Sequence, residues 1–277
     1  MGDVAYNRFF RAFPLQYVKK YIEASPEFEL KPVSVDGMYC RDYKAVVNKN
    51  TSKVVAIVSK RFQLIQHKTV MNTFLDVLSN YVQENEVEGF YKWTDTRAYL
   101  TVYFRHIEPF EKDYFKLGIL VTNGVDGSMA VWTKFSGLRL VCTNGLVSRE
   151  TLEVVKSVHV GTDFSEFMER LIGRFERVIQ SVDQYGERIT KTFEEWKAVE
   201  ISREEAIKEV AKMDWLPKKA LPVIKWNLPR QEKVNLYDLY NALTYYISNH
   251  SGKNIQGRTE DLIKAEKQVA ALAKALA

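Results

Sequence analysis

Residues 118–148, GILVTNGVDGSMAVWTKFSGLRLVCTNGLVS, decide how the chain is read. Two runs of β-forming residues are joined by Gly-Val-Asp-Gly-Ser. There Asn123-Gly124 and Asp126-Gly127 tolerate positive φ, so the stretch reads as a hairpin. Along its second strand Val131, Thr133 and Phe135 point one way, and Trp132 and Lys134 the other. Ser136-Gly137 interrupts the alternation and predicts a bulge or bend. Beyond it Leu138 and Leu140 share a face opposite Arg139, and Cys142 reads as a small apolar residue at the strand end. A nucleophilic Cys142 would need a base, for which His106 and His159 on flanking strands are the candidates.

The same grammar recurs on either side. Tyr43–Lys49 and Lys53–Lys60 flank the loop NKNTS, and Val87–Thr94 and Arg97–His106 flank Asp95-Thr96, giving three hairpins in all. Between the first two, residues 67–82 repeat Val70, Phe74, Leu75, Val77, Leu78 and Tyr81 at helical spacing. A short helix, Leu15–Ala24, precedes the sheet. After Gly161 the pattern turns helical. Thr162 or Asp163 caps one long helix reaching residue 198, and Ser202-Arg-Glu-Glu opens another that ends near Met213. A proline-bearing connector, DWLPKKALPVIKWNLPRQEK (214–233), leads to helices over 235–250 and 259–277. The expected fold class is α+β: an antiparallel sheet built from hairpins with one internal helix, followed by a long helix and a helical C-terminal region. The division falls at 1–161 for the sheet domain and 162–277 for the helical region, packed on its own sheet or on a neighbouring protomer.

The 277-residue chain carries a net charge of +5, mildly basic and compatible with a polyanionic partner. Cys40 and Cys142, its two cysteines, are too few for a disulfide framework, which fits a reducing compartment. The N-terminus MGDVAYNRFFRAFPLQYVKKYI lacks a continuous apolar run, and no stretch approaches the roughly 18 apolar residues of a membrane span. A cytoplasmic location, in the host cell if the protein is viral, and no membrane partner are therefore expected.

Nothing local asks for chemistry. There is no GxxxxGK[ST], no strand–GxGxxG–helix, no HExxH and no GxSxG. The four histidines, His67, His106, His159 and His250, are scattered, with no pair at ligand spacing. No metal and no cofactor are expected, and the sequence leans away from an enzyme. A hydrolase or nuclease site assembled from His159, Cys142 and His250 stays open as an alternative.

Binding has a more definite pattern. In residues 97–105, RAYLTVYFR, Ala98, Leu100, Val102 and Phe104 form an apolar face. Arg97, Tyr99, Thr101, Tyr103 and Arg105 form the other, expected to face solvent. Lys92 and Trp93 on the partner strand, Lys60 and Arg61 at another strand end, and Lys134 and Arg139 add cations and a ring. Rings between cations suit a single strand, because every base offers a π-face and Lys and Arg neutralise phosphates. Cross-strand Tyr and Arg pairs are equally at home on the wet face of any antiparallel sheet.

The opening stretch also resembles the signature of an uncharacterised family of phage- and plasmid-like proteins, a domain of unknown function. In that family an hDGS turn precedes a strand ending in RVVCxNTL. Here Asp126-Gly127-Ser128 and residues 139–146, RLVCTNGL, occupy those places, with Gly145 where Thr is usual. SKRFQLIQHKTVMNTFLDVL (59–78) is similar to the family's aromatic strand and first core helix. His159-Val160-Gly161 resembles its HTG, with Val160 departing, and LYDLYNALTYYISNHS (236–251) resembles its NAxTeYxxH helix. The resemblance implies a mobile-element context and no settled activity. At the level of fold alone the pattern resembles phage single-strand annealing proteins. The expected function is thus non-enzymatic binding or annealing of single-stranded DNA, or RNA, by a homo-oligomer. The alternative is an assembly protein without nucleic acid.

Overall fold

The computed structural model describes residues 12–139, 144–155 and 163–276. The chain enters through a two-residue strand, β1 (Phe13–Pro14), and helix α1 (Leu15–Glu23), which buries Leu15, Val18 and Ile22. A hairpin follows, β2 (Phe28–Val35) and β3 (Met38–Asn48), reversing at Asp36 and Gly37 with φ of 51° and 78°. Strand β4 (Val54–Ser59) pairs with β3 only over Tyr43–Val47 and completes a three-stranded sheet. The β2–β3 ribbon therefore runs past its third strand, and Val35, Met38 and Tyr39 at its tip are exposed.

Helix α2 (His67–Ser79) then leads to the main sheet. Its strands are β5 (Glu88–Trp93), β6 (Arg97–Phe110), β7 (Asp113–Gly124), β8 (Val131–Arg139) and β9 (Asn144–Val155). They pair antiparallel in the order β1-β5-β6-β7-β8-β9. The three expected hairpins are present; β1, β2 and β9 are additional strands of these two sheets. The Gly-Val-Asp-Gly-Ser turn works as read: Asp126 accepts the Ser128 N–H at 2.9 Å and Gly127 sits at φ 76°. The irregularity expected at Ser136-Gly137 falls slightly earlier, where the β8–β9 register shifts between Thr133 and Ser136.

The rest is helical apart from one small clasp. The long helix expected over 162–198 is two helices, α3 (Phe164–Gln180) and α4 (Val182–Ala198). The break is a single residue, Ser181, whose hydroxyl donates to the Val178 carbonyl at 2.9 Å. Strand β10 (Glu200–Ser202), helices α5 (Arg203–Ala211) and α6 (Ala220–Asn227), and strand β11 (Lys233–Asn235) follow. β10 and β11 pair with each other. Helix α7 (Leu236–Asn249) opens with an Asn235–Asp238 capping box, and α8 (Ile255–Leu276) ends the described chain.

Helices cover both faces of the main sheet. On one face Tyr185 of α4 stacks on Phe135 at 4.0 Å between ring centres, and Phe74 of α2 meets Phe175 of α3 edge-on at 5.0 Å. Phe193 of α4 is the hub, with Phe115 at 5.5 Å and Tyr237 of α7 at 5.0 Å. Edge-on and offset ring pairs of this kind add about 0.5–1.5 kcal/mol beyond their buried area. One continuous core contains residues from both the strands and the later helices.

His67 ties the small sheet to the large one. It is fully buried, its Nδ1 lies 3.0 Å from the Asn123 side-chain nitrogen, and the Phe28 ring stands edge-on at 5.4 Å. Burial, opposed by the nearby Asp126 charge, holds its pKa down at about 4 against an ordinary 6.5. The fold thus binds the neutral ring, while the unfolded chain takes up a proton near pH 6.5. The stability this contributes is fully present above that value and is lost as pH falls towards 4. The expected loss is about 3 kcal/mol. Urea midpoints of the wild type and His67→Gln, measured from pH 7.5 to pH 4.5, check it. The wild type should lose stability over this window and the variant much less; equal slopes would remove His67 as the cause.

Candidate nucleic-acid interface

The row expected to face solvent on β6 does not. Tyr99, Thr101 and Tyr103 are 1%, 2% and 2% exposed, as buried as the apolar face behind them. Helix α8 crosses this side of the sheet. The Tyr99 hydroxyl donates to Gln256 Oε1 at 3.4 Å, and the Arg97 guanidinium bonds the same oxygen and Ser128 Oγ, the latter at 3.0 Å. Tyrosine allows this, because its ring packs like an apolar side chain while its hydroxyl finds a polar partner. Burial pushes the Tyr103 phenol well above its ordinary pKa.

The other predicted residues are dispersed. Burial, and then the Arg258 charge, lowers the Lys92 ammonium; burial and then Lys267 do the same at Lys134. Arg105 turns to Asp183 of α4 at 2.9 Å. Arg139 grips Asp113 through two bonds of 2.6 and 2.8 Å, and Tyr237 donates to the same carboxylate at 2.5 Å. Lys60 is exposed and pairs with Asp42 at 2.7 Å, with Arg61 exposed beside it. Trp93 is partly exposed and tilts against Tyr91 at 5.6 Å. The solvent-facing row expected on β6 is therefore corrected: Tyr99, Thr101 and Tyr103 are buried and offer no open strip. Cys142 and His159 lie outside the described residues, and His250 rests against the Tyr245 ring at 5.2 Å.

An accessible group of ring and cations sits elsewhere, on α6. Ala220 and Ile224 are buried on one side of this helix, so the i, i+3, i+4 set Pro222, Lys225 and Trp226 is left on the opposite, exposed side. Trp226 is 74% exposed, and the Arg230 guanidinium lies 5.0 Å from its ring centre. Buried Leu228 anchors the turn between them, its N–H donating to the Ile224 carbonyl at 3.0 Å. Arg203, the first residue of α5, reaches across. Its Nε donates to the Pro229 carbonyl at 3.0 Å and a terminal nitrogen donates to the Lys225 carbonyl at 2.8 Å. A guanidinium there meets the negative end of α6. The Arg203 N–H in turn donates to the Glu232 carbonyl at 2.9 Å, just beyond the β10–β11 clasp.

Together Arg203, Pro222, Lys225, Trp226 and Arg230 line a pocket of about 440 Å3 with no carboxylate among them. It offers one flat aromatic face and three positive charges. Sequence reading passed over it because Pro217, Pro222 and Pro229 make 214–233 look like a connector. The missed signal is the interleaving of Trp215 and Trp226 with Lys218, Lys219, Lys225 and Arg230.

A second groove, of about 540 Å3, lies between β6 and α4. Arg105 and Lys191 there face Asp183, Glu187 and Glu194 over an apolar floor, so it has no net attraction for an anion. Among the described residues no group of three or more His, Cys, Asp or Glu side chains could share a metal ion. No helix among them is long and apolar enough to cross a membrane.

Fold and pocket define an α+β protein of three antiparallel sheets, the smallest the β10–β11 clasp, that presents a ring-and-cation pocket on a short outer helix. By sequence the chain belongs to the family described as domain of unknown function DUF932, which it matches over residues 54–275. That span contains the whole pocket and leaves the β2–β3 ribbon outside. No curated protein and no solved structure matches the chain.

Proposed function

We propose that this protein binds single-stranded nucleic acid, without catalysing a reaction on it, through the α6 pocket. The observation that carries the reading is Trp226, 74% exposed among Arg203, Lys225 and Arg230. A base stacked on an exposed indole contributes about 1–3 kcal/mol, and the neighbouring cations neutralise phosphates. In a phage or plasmid setting such an activity serves replication or recombination by holding or annealing strands. The exposed Val35, Met38, Tyr39 and Tyr43 of the ribbon favour assembly of several copies as a companion reading.

Fluorescence anisotropy with a labelled oligothymidylate across salt concentrations tests the binding, with light scattering on the same samples to read assembly. Affinity should fall steeply as salt rises. Trp226→Ala and Arg230→Ala should each weaken it about tenfold. Charge removal at Arg97 and Arg105, which are engaged within the protein, should leave it within about twofold. Salt-insensitive binding, or none at micromolar protein, would end the proposal.

A further inference from the structure

The pocket's size and its single platform say what unit it takes. Among the residues that line the pocket, Trp226 is the one aromatic side chain. A strand bound there finds one stacking surface, not a row. Helix α6 has eight residues and spans about 12 Å, too short to carry a long groove. The pocket of about 440 Å3 lies towards the small end of small-molecule sites, which run from about 300 to 1,000 Å3. One face of the indole lies under Arg230, and with the ring 74% exposed the other is open to a flat partner. Lys225 also lines the pocket, so an ammonium joins the Arg230 guanidinium there.

Resting on the nucleic-acid reading, we infer that the pocket takes one unstacked nucleotide at a time. The base lies on the free face of Trp226, and its phosphate sits between Lys225 and Arg230. Arg203 is a positioning residue: tied to the Lys225 and Pro229 carbonyls, it fixes the distance between the two cations and adds positive potential behind them. Bases within a duplex are stacked on both faces and do not fit, so duplex of the same length binds only through its charge. A ring without phosphate, or a phosphate without a ring, satisfies half of the pocket.

The test uses the full chain, a labelled trinucleotide of thymidylate and a ladder up to the sixteen-mer. Thymidine 5′-monophosphate, thymidine and inorganic phosphate serve as competitors. The monophosphate should displace the trinucleotide, with thymidine and phosphate each needing about tenfold more. Affinity per nucleotide should change less than about threefold from the trinucleotide to the sixteen-mer. Trp226→Ala should weaken the trinucleotide about tenfold, and Trp226→Phe should recover it to within about threefold. Three outcomes would overturn the inference: affinity per nucleotide climbing with each doubling of length, inorganic phosphate competing as well as the monophosphate, or Trp226→Ala binding the trinucleotide normally. In the first two long strands still bind and Trp226→Ala still weakens them, so the nucleic-acid reading survives; if Trp226→Ala binds normally, or no strand binds at any length, both fall together.

Discussion

Asp113→Ala should lower the free energy of unfolding by about 3–5 kcal/mol, the usual effect of removing one partner from a buried ion pair. Asp113 is 6% exposed. Its carboxylate accepts two bonds from Arg139 and one from the Tyr237 hydroxyl, so a single side chain ties the β6–β7 hairpin to the end of β8 and to α7. The Arg139 guanidinium also lies 5.7 Å from the Tyr237 ring centre. Without the carboxylate, a largely buried cation loses two charge-assisted bonds and a buried phenol loses an acceptor. Arg139→Ala should be similarly damaging, because it leaves the carboxylate without its charge partner. The double variant should be less destabilised than the sum of the two, the sign of a direct coupling in a double-mutant cycle. Urea unfolding of the four proteins measures this. Strict additivity, or a loss below about 1 kcal/mol for Asp113→Ala, would show that the triad does not hold α7 to the sheet.

Gly118→Ala is expected to be as severe for a different reason. Gly118 in β7 pairs with Tyr103, beside the register shift between Tyr103 and Arg105. A Cβ at this position would lie 1.7 Å from the Val102 carbonyl oxygen and 2.7 Å from its carbon. Both are backbone atoms, so no side chain can rotate away; the strand itself must move. Gly89 in β5 faces the same obstacle from the other side, with the Thr101 carbonyl oxygen 2.2 Å from an added Cβ. β6 is thus flanked on both sides by residues that have no room for a side chain. An overpacked core usually costs about 1–3 kcal/mol, and a clash with fixed backbone belongs at or above the top of that range. A fall in Tm of roughly 10 °C is expected from calorimetry. A variant that melts within about 2 °C of the wild type would mean that β6 and β7 separate readily at this point.

Much of the frame was legible because its determinants are local. NKNTS, Asp95-Thr96 and Gly-Val-Asp-Gly-Ser are turns by their own chemistry, and each joins the strands it was expected to join. The β2–β3 turn at Asp36-Gly37 follows the same rule but is preceded by Pro32, which reads as a breaker. Pro222 misled more seriously. It is the third residue of α6, and the first four N–H groups of a helix have no partner within it, so its missing donor is not needed there. The break at Ser181 was hidden because apolar spacing continues across it.

The candidate site was not legible where it was sought. Alternation along RAYLTVYFR separates two faces correctly, yet it does not say which is wet. That depends on how many later helices return to cover the sheet, and α8 comes from the far end of the chain. Family resemblance was informative in a limited way. Arg139 of the RLVCTNGL motif and Tyr237 of LYDLYNALTYYISNHS meet at Asp113, so two of the matched segments converge on a structural triad.

The clasp of β10 and β11 has a topological consequence. Residues 203–232 leave and rejoin the body at adjacent points, since Ser202 pairs with Lys233. They form an excursion whose ends are held together by that pair and whose inner side, Ala206, Val210, Ala220 and Ile224, packs into the core. Its outward residues can therefore be exchanged while the entry, the exit and the buried side stay fixed. A chain built this way can change what it recognises without rebuilding the frame that presents it.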